Sequence, residues 1–107
     1  MRHMRPAELQ SRLQDVTTAP PLLLDVREEW EFERGHLADA QLMPMSRIQG
    51  QWQQLDPERE TVVICHHGVR SFHVARFLEH NGFTNLINLT GGVDAWAKEI
   101  DPGMPLY

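Results

Sequence analysis

Short apolar runs along this chain alternate with stretches whose apolar residues recur every three or four positions, and that alternation predicts a layered α/β fold. Leu22-Leu23-Leu24-Asp25-Val26 is too short for a helix and suits a strand covered on both faces. Thr61-Val62-Val63-Ile64 is β-branched at every position and is the clearest strand. Gln41-Leu42-Met43, cut off by Pro44, and Asn85-Leu86-Ile87-Asn88-Leu89 are weaker strand candidates. Helical spacing predicts a first helix from Pro6 to about Val16, carrying Leu9, Leu13 and Val16 on one face. A short second helix has Glu28, Glu29 and Glu31 in its first turn, where the positive end of the macrodipole favours acids, and Gly35 to close it.

The third predicted helix starts from a Ser46 cap, carries Ile48, Trp52 and Leu55, and stops at Asp56-Pro57. A fourth follows Ile64, with Val74, Phe77 and Leu78 on one face and Gly82 as its stop; a fifth follows Gly91-Gly92 and carries Val93, Trp96 and Ala97. Strands alternating with helices imply parallel strands joined by right-handed crossovers, with helices on both faces of one sheet. No repeat or linker interrupts the pattern, so one domain over residues 1–107 is expected.

Composition narrows the classes. A chain of 107 residues with 41% hydrophobic and 23% charged content matches one ordinary globular core, not a disordered or membrane chain. The net charge of -5 gives no general attraction for nucleic acid or an anionic membrane, so any cationic character that matters is local. One cysteine forms no internal disulfide and no thiolate zinc cluster. With no apolar leader in Met1–Pro6 and no long apolar run, a cytoplasmic protein with no membrane or nucleic-acid partner is expected.

That cysteine sits in Cys65-His66-His67-Gly68-Val69-Arg70-Ser71, between the clearest strand and a helix. In open parallel sheets ligands bind beyond the carboxyl ends of the strands, where first-turn amides of the next helix lack partners and converge on one point. A thiolate is an anion suited to that point, and helix N-termini and nearby cations favour its ionised form. Gly68 allows a positive φ and a close backbone approach, and Arg70 adds a planar cationic fork. Two readings of Cys65 stay open on these residues: a reactive nucleophile, or an inert thiol filling a strand end.

The loop, together with Leu24-Asp25-Val26-Arg27-Glu28-Glu29-Trp30-Glu31-Phe32-Glu33-Arg34-Gly35-His36-Leu37 and Gly91-Gly92-Val93-Asp94-Ala95-Trp96, resembles the single-domain rhodanese-like family of sulfurtransferases. The resemblance runs through nearly the whole chain, down to Pro102-Gly103-Met104-Pro105. It implies a five-stranded parallel sheet flanked by helices on both faces. It also implies that Cys65 takes sulfane sulfur from thiosulfate or a related small anionic donor as a persulfide. Cyanide, a thiol or a sulfur-acceptor protein would then remove it, with no cofactor. Carried over by position, the backbone of His66, His67, Gly68, Val69, Arg70 and Ser71 lines a cradle for the sulfur, and Arg70 faces the donor. Four residues separate Cys65 from Arg70, where related phosphatases and arsenate reductases have five, so the family pattern favours sulfur transfer. A noncatalytic module that binds a partner or senses sulfide species is the other class.

Neighbouring residues have two readings each. His66 and His67 project differently, so no metal site is expected; one imidazole either assists Arg70 with its charge or simply tunes the pocket. Asp25 either receives hydrogen bonds from the cysteine loop, as the Asp-Val-Arg motif suggests, or caps the next helix, and stands with Arg27 behind the reacting groups. Arg27 and Arg34 are expected to pair with Glu31 or Glu33 on a solvated face. Acceptor docking is expected near Trp30 or Phe72. Where many relatives carry a Gly-Ala pair before the third strand, this chain has Asp39-Ala40.

Overall fold

Five strands, Arg2–Met4 (β1), Leu22–Asp25 (β2), Gln41–Leu42 (β3), Thr61–Ile64 (β4) and Leu86–Leu89 (β5), form one wholly parallel sheet in the computed structural model, which describes residues 1–107. Their order is β1-β5-β4-β2-β3, so the three most apolar strands occupy the middle. The helices are Pro6–Gln14 (α1), Glu29–Arg34 (α2), Ile48–Gln51 (α3), Val69–His80 (α4) and Gly92–Glu99 (α5).

Because successive side chains of a strand point to opposite faces, each central strand feeds two cores. Leu22, Leu24, Val63 and Cys65 pack with Ile48 of α3 and Val74, Ala75 and Leu78 of α4. Leu23, Val62, Ile64 and Ile87 pack on the other face with Leu9 of α1 and Val93 and Trp96 of α5. Burying each large apolar side chain contributes roughly 1.5–3 kcal/mol, which explains why runs with no polar alternation form these strands. Cys65 therefore follows the end of β4 on the α3–α4 side.

Several boundaries differ from the sequence reading. β1 escapes hydrophobic patterning because Arg2 and His3 are exposed; it is held by parallel pairing of Arg2, His3 and Met4 with Ile87, Asn88 and Leu89. α1 ends at Gln14, and Val16 lies outside it almost fully exposed, because Leu9 and Leu13 already complete the inward stripe. The third helix is broken into a 3₁₀ turn at Met45–Arg47, α3, and a second 3₁₀ turn at Trp52–Gln54. Ser46 caps nothing: its hydroxyl donates to the Glu28 carboxylate at 3.0 Å. Asp39 takes a φ of 67°, the left-handed conformation that a glycine adopts freely, so the turn before β3 keeps its shape without one.

The feature that positions the cysteine is the start of α5. Val93 N–H donates to Cys65 C=O at 2.9 Å and Asp94 N–H to His66 C=O at 3.0 Å, so orphan amides of one helix hold the strand end that leads into another. Gly92, at φ 60°, permits this approach, since a Cβ there would collide with the carbonyl oxygens of Cys65 and His66. Gly92→Ala is expected to destabilise the fold by about 1–3 kcal/mol or more through strain and this clash. By contrast, Gly50→Ala, whose added Cβ meets nothing within 4 Å in α3, stabilises by roughly 0.5–1 kcal/mol. Urea denaturation of both variants checks the contrast, and equal effects would rule out the close approach as the cause.

Candidate active site

The loop after β4 turns back under the first turn of α4. Gly68, at φ 99°, is the N-cap of α4, and its N–H donates to Cys65 Sγ at 3.0 Å. Cys65 is 1% exposed, so its sulfur lies at the floor of the loop under the positive end of a twelve-residue helix. The thiol donates to Ser71 Oγ at 3.3 Å, Ser71 Oγ donates to Asn88 Oδ1, and Asn88 Nδ2 donates to the Gly68 carbonyl at 3.2 Å. Ser71 is completely buried and Asn88 nearly so.

Arg70 lies at the end of the loop, but its fork is engaged: Nη1 and Nη2 reach the two Glu31 carboxylate oxygens at 2.6 and 2.8 Å. The guanidinium beside Glu31 holds that carboxyl down to about 2, and the same pairing raises Arg70 above its ordinary value. Arg70 keeps 32% of its side chain exposed while Glu31 keeps 5%, so the cation stands at the mouth and its partner beneath it.

Asp25 and Arg27 are placed differently from the sequence reading. Both are wholly buried, and the Asp25 carboxylate accepts from the Arg27 backbone N–H at 3.1 Å and from Nε and Nη2 at 2.9 and 2.7 Å. Asp25 therefore neither receives a bond from the cysteine loop nor caps α2, whose N-cap is Glu28. A carboxylate stripped of water needs a full counter-charge, which Arg27 provides and neutral loop amides do not. Nor does Arg27 sit on a solvated face with Glu31 or Glu33. Arg34 does stay exposed, with its guanidinium 5.8 Å from the Trp30 ring centroid.

The two halves are joined by a residue that sequence reasoning missed. Tyr107 accepts from Arg27 Nη1 at 3.0 Å and donates to Glu31 Oε2 at 2.8 Å, and burial raises its hydroxyl so that it keeps the proton it donates. Its ring stacks on His66 with centroids 4.2 Å apart. Burial, and then the neighbouring His67, lower His66, which works against the reading in which His66 lends positive charge. The Nε2 of His66 is buried with no hydrogen-bond partner. His66, His67 and Asp94 offer atoms within 4.8 Å of one another, but the two imidazoles stack at 4.0 Å and 24°. Asn88 was legible only as a strand residue, and Glu31 only as an acid in a first turn or a surface partner for Arg27 or Arg34, not as the partner of Arg70. Phe72 stacks on His3 of β1, whereas Trp30 is 56% exposed.

Comparison with known proteins places this geometry in context. The rhodanese-like domain profile matches residues 5–99. Rhodanese-like/PpiC domain-containing protein 12, chloroplastic, of Arabidopsis thaliana is 38% identical over 106 residues; the match covers 94% of this chain but only 35% of that protein. A sulfurtransferase of Allochromatium vinosum is 34% identical over 98 residues, covering 92% of this chain and 87% of that one. The crystal structure of a rhodanese-like domain protein from Staphylococcus aureus superposes with a TM-score of 0.84 at 30% identity, covering 100% of this chain and 99% of that one. No helix is long and apolar enough to cross a membrane.

The depressed Glu31 carboxyl fixes a sign for acid behaviour. A carboxyl at about 2 in the folded state, below its ordinary 4.5, contributes stability that is present at neutral pH and lost as pH falls through that interval. Glu31→Gln is expected to cost about 1.5–3 kcal/mol near pH 6. The gap from wild type then narrows as both proteins are taken toward about pH 3. Urea denaturation at the two pH values checks this, and a gap independent of pH would show that the ion pair is not the source.

Proposed function

This chain belongs to the rhodanese-like domain family, one sulfurtransferase of which it matches over 92% of its length, and we propose that it transfers sulfane sulfur through a persulfide on Cys65. The single observation that carries the reading is the Gly68 N–H aimed at Cys65 Sγ at 3.0 Å, under the N-terminus of α4. A structural thiol at a strand end needs no such donor; a sulfur that must carry negative charge does.

The chemistry is a double displacement. The Cys65 thiolate attacks the outer sulfur of thiosulfate or a related donor, the S–S bond of the donor breaks with its electron pair leaving on sulfite, and Cys65 retains the sulfur as a persulfide anion. Charge is conserved: a monoanion and a dianion give a monoanion and a dianion. Cyanide or an acceptor thiolate then attacks the outer persulfide sulfur and restores the Cys65 thiolate. Sulfite and thiolate leave as stable anions, so the site's task is electrostatic, holding negative sulfur first at Sγ and then one bond farther out. The first-turn amides of Val69, Arg70 and Ser71 have no partner within α4 and face the position of that outer sulfur in this reading. Val69, 65% exposed at the start of α4, and Trp30, 56% exposed, are exposed apolar side chains on which we expect an acceptor, small or protein, to rest.

The test uses the purified chain with thiosulfate and cyanide. Wild type is expected to form thiocyanate and, with donor alone, to gain one sulfur atom by intact mass; Cys65→Ala loses both, with turnover falling to the uncatalysed background. Wild-type turnover no greater than that of Cys65→Ala, together with no sulfur on Cys65 from thiosulfate or a low-molecular-weight persulfide, overturns the proposal.

A further inference from the structure

Behind the sulfur runs a closed chain of hydrogen bonds that the transfer chemistry above does not use: Cys65 to Ser71, Ser71 to Asn88, and Asn88 back to the loop at Gly68. We propose that Asn88 is a positioning residue that sets, through the Ser71 hydroxyl, the pH at which Cys65 gives up its proton. The proposal rests on Cys65 being the nucleophile.

The argument is one of donors and acceptors. The Asn88 carboxamide has a fixed orientation: its NH₂ must face the Gly68 carbonyl, because the reverse would set two oxygens against each other. Its oxygen therefore faces Ser71, and the single proton of that hydroxyl goes to Asn88. With that proton committed, the Ser71 oxygen is left to accept, and the thiol of Cys65 donates to it. The arrangement as a whole fits a protonated sulfur.

A thiolate has no proton to donate and requires donors. Gly68 N–H already points at it, and the other group in hydrogen-bond contact with Sγ that can turn a proton to it is the Ser71 hydroxyl. When the Cys65 proton leaves to solvent, the hydroxyl turns from Asn88 Oδ1 to Sγ, with no proton passing along the chain. That turn leaves Asn88 Oδ1 without its hydrogen bond in a site that is 5% exposed, a loss that opposes ionisation. Once the persulfide forms, charge moves to the outer sulfur, Sγ becomes a poor acceptor, and the hydroxyl returns to Asn88. Asn88 thus favours the states in which Sγ itself carries no charge, and helps move negative charge outward to the helix amides.

This gives variants of opposite sign, which a merely structural role does not. The charged and titratable groups facing the loop are Arg70, His66 and His67 on it, Glu31 of α2, Asp94 of α5, Tyr107 from the tail, and the Asp25–Arg27 pair behind them; all are retained in every variant. Cys65 is the only cysteine, so the ultraviolet absorbance of its thiolate, after subtraction of a Cys65→Ser control, reads its ionisation directly. Ser71→Ala is expected to move the midpoint up by about one pH unit, and Ser71→Thr, which keeps the hydroxyl, to restore it. Asn88→Leu moves the midpoint down, and the double variant Ser71→Ala/Asn88→Leu matches Ser71→Ala alone, since without the hydroxyl Asn88 has no lever. An unchanged or raised midpoint in Asn88→Leu overturns the proposal, as does an additive double variant.

Should Asn88→Leu fail to fold, NMR of the wild type decides. The Asn88 carboxamide resonances are expected to titrate with the Cys65 midpoint and to stop doing so in Ser71→Ala; resonances that titrate equally in both proteins overturn the proposal. The titration reads the thiol and the thiocyanate assay reads transfer, so a protein that transfers no sulfur and one in which Asn88 is inert give different results.

Discussion

The buried guanidinium of Arg27 is the constraint around which this end of the fold is arranged. A charge with no exposed surface demands partners on every donor, and Arg27 has them: Asp25 on Nε and Nη2, the Gly35 carbonyl on Nη2, and the Glu31 carbonyl and Tyr107 hydroxyl on Nη1. Burial is the largest single influence and works against its charge, but the hydrogen bonds and charges of Asp25 and Tyr107 together outweigh it, leaving Arg27 above its ordinary value. Satisfying one cation in this way fixes the end of β2, the whole of α2 and the last residue of the tail in one arrangement. Removing either member of the Asp25–Arg27 pair leaves an uncompensated buried charge, far costlier than the pair itself. Glu31 and Arg70 are then placed as consequences, because the Glu31 carboxylate meets Arg70 only when α2 and Tyr107 hold it there.

Two helix N-termini meet at Cys65, and they do different work. α5 directs its first amides onto the carbonyls of Cys65 and His66, which pins the backbone and leaves no amide of Val93 or Asp94 for a ligand. α4 leaves its first turn open above the sulfur, with Gly68 N–H alone turned onto it. One helix thereby holds the strand end rigid while the other presents the positive end of its dipole. A single macrodipole engaged on both tasks would do neither well.

How much of this was legible in the sequence follows from the range of the interactions. The four strands read from apolar runs are all present in the sheet, and the loop, its glycine and its arginine are where the spacing put them, because burial and turn conformation are local properties of sequence. β1 was invisible because it is held by pairing and not by an apolar pattern. Tyr107 was invisible because its partners lie 76 and 80 positions away and nothing in its own segment marks it. Asp25 and Arg27 were misread because their opposite charges, two residues apart, look the same on a surface as in a core; only three-dimensional burial distinguishes them. Asn88 was passed over for the converse reason, since a polar residue in a weakly alternating strand looks like a solvent-facing position and proves to be buried and fully bonded.

These placements also decide which groups can hold negative sulfur. Arg70, the one permanent cation of the loop, spends its fork on Glu31, and His66 is pushed toward its neutral form by burial, so neither leaves a full unpaired charge at the mouth. With a net charge of -5 the chain as a whole does not attract a dianionic donor from a distance. In the proposed transfer, anion binding then falls to short-range dipoles: the Gly68 amide and the open first turn of α4, already fixed in place, and the Ser71 hydroxyl, which has to turn from Asn88. The amides act over a few ångströms and need no reorganisation when charge arrives, and in the proposed transfer they stay within reach of the charge as it passes from one sulfur to the next. In that proposal a mobile free arginine would attract the donor more strongly but would also hold the departing sulfite. In the proposed reaction, tethering the cation and leaving short-range dipoles at the sulfur favours the bound sulfur over both the arriving and the leaving anion.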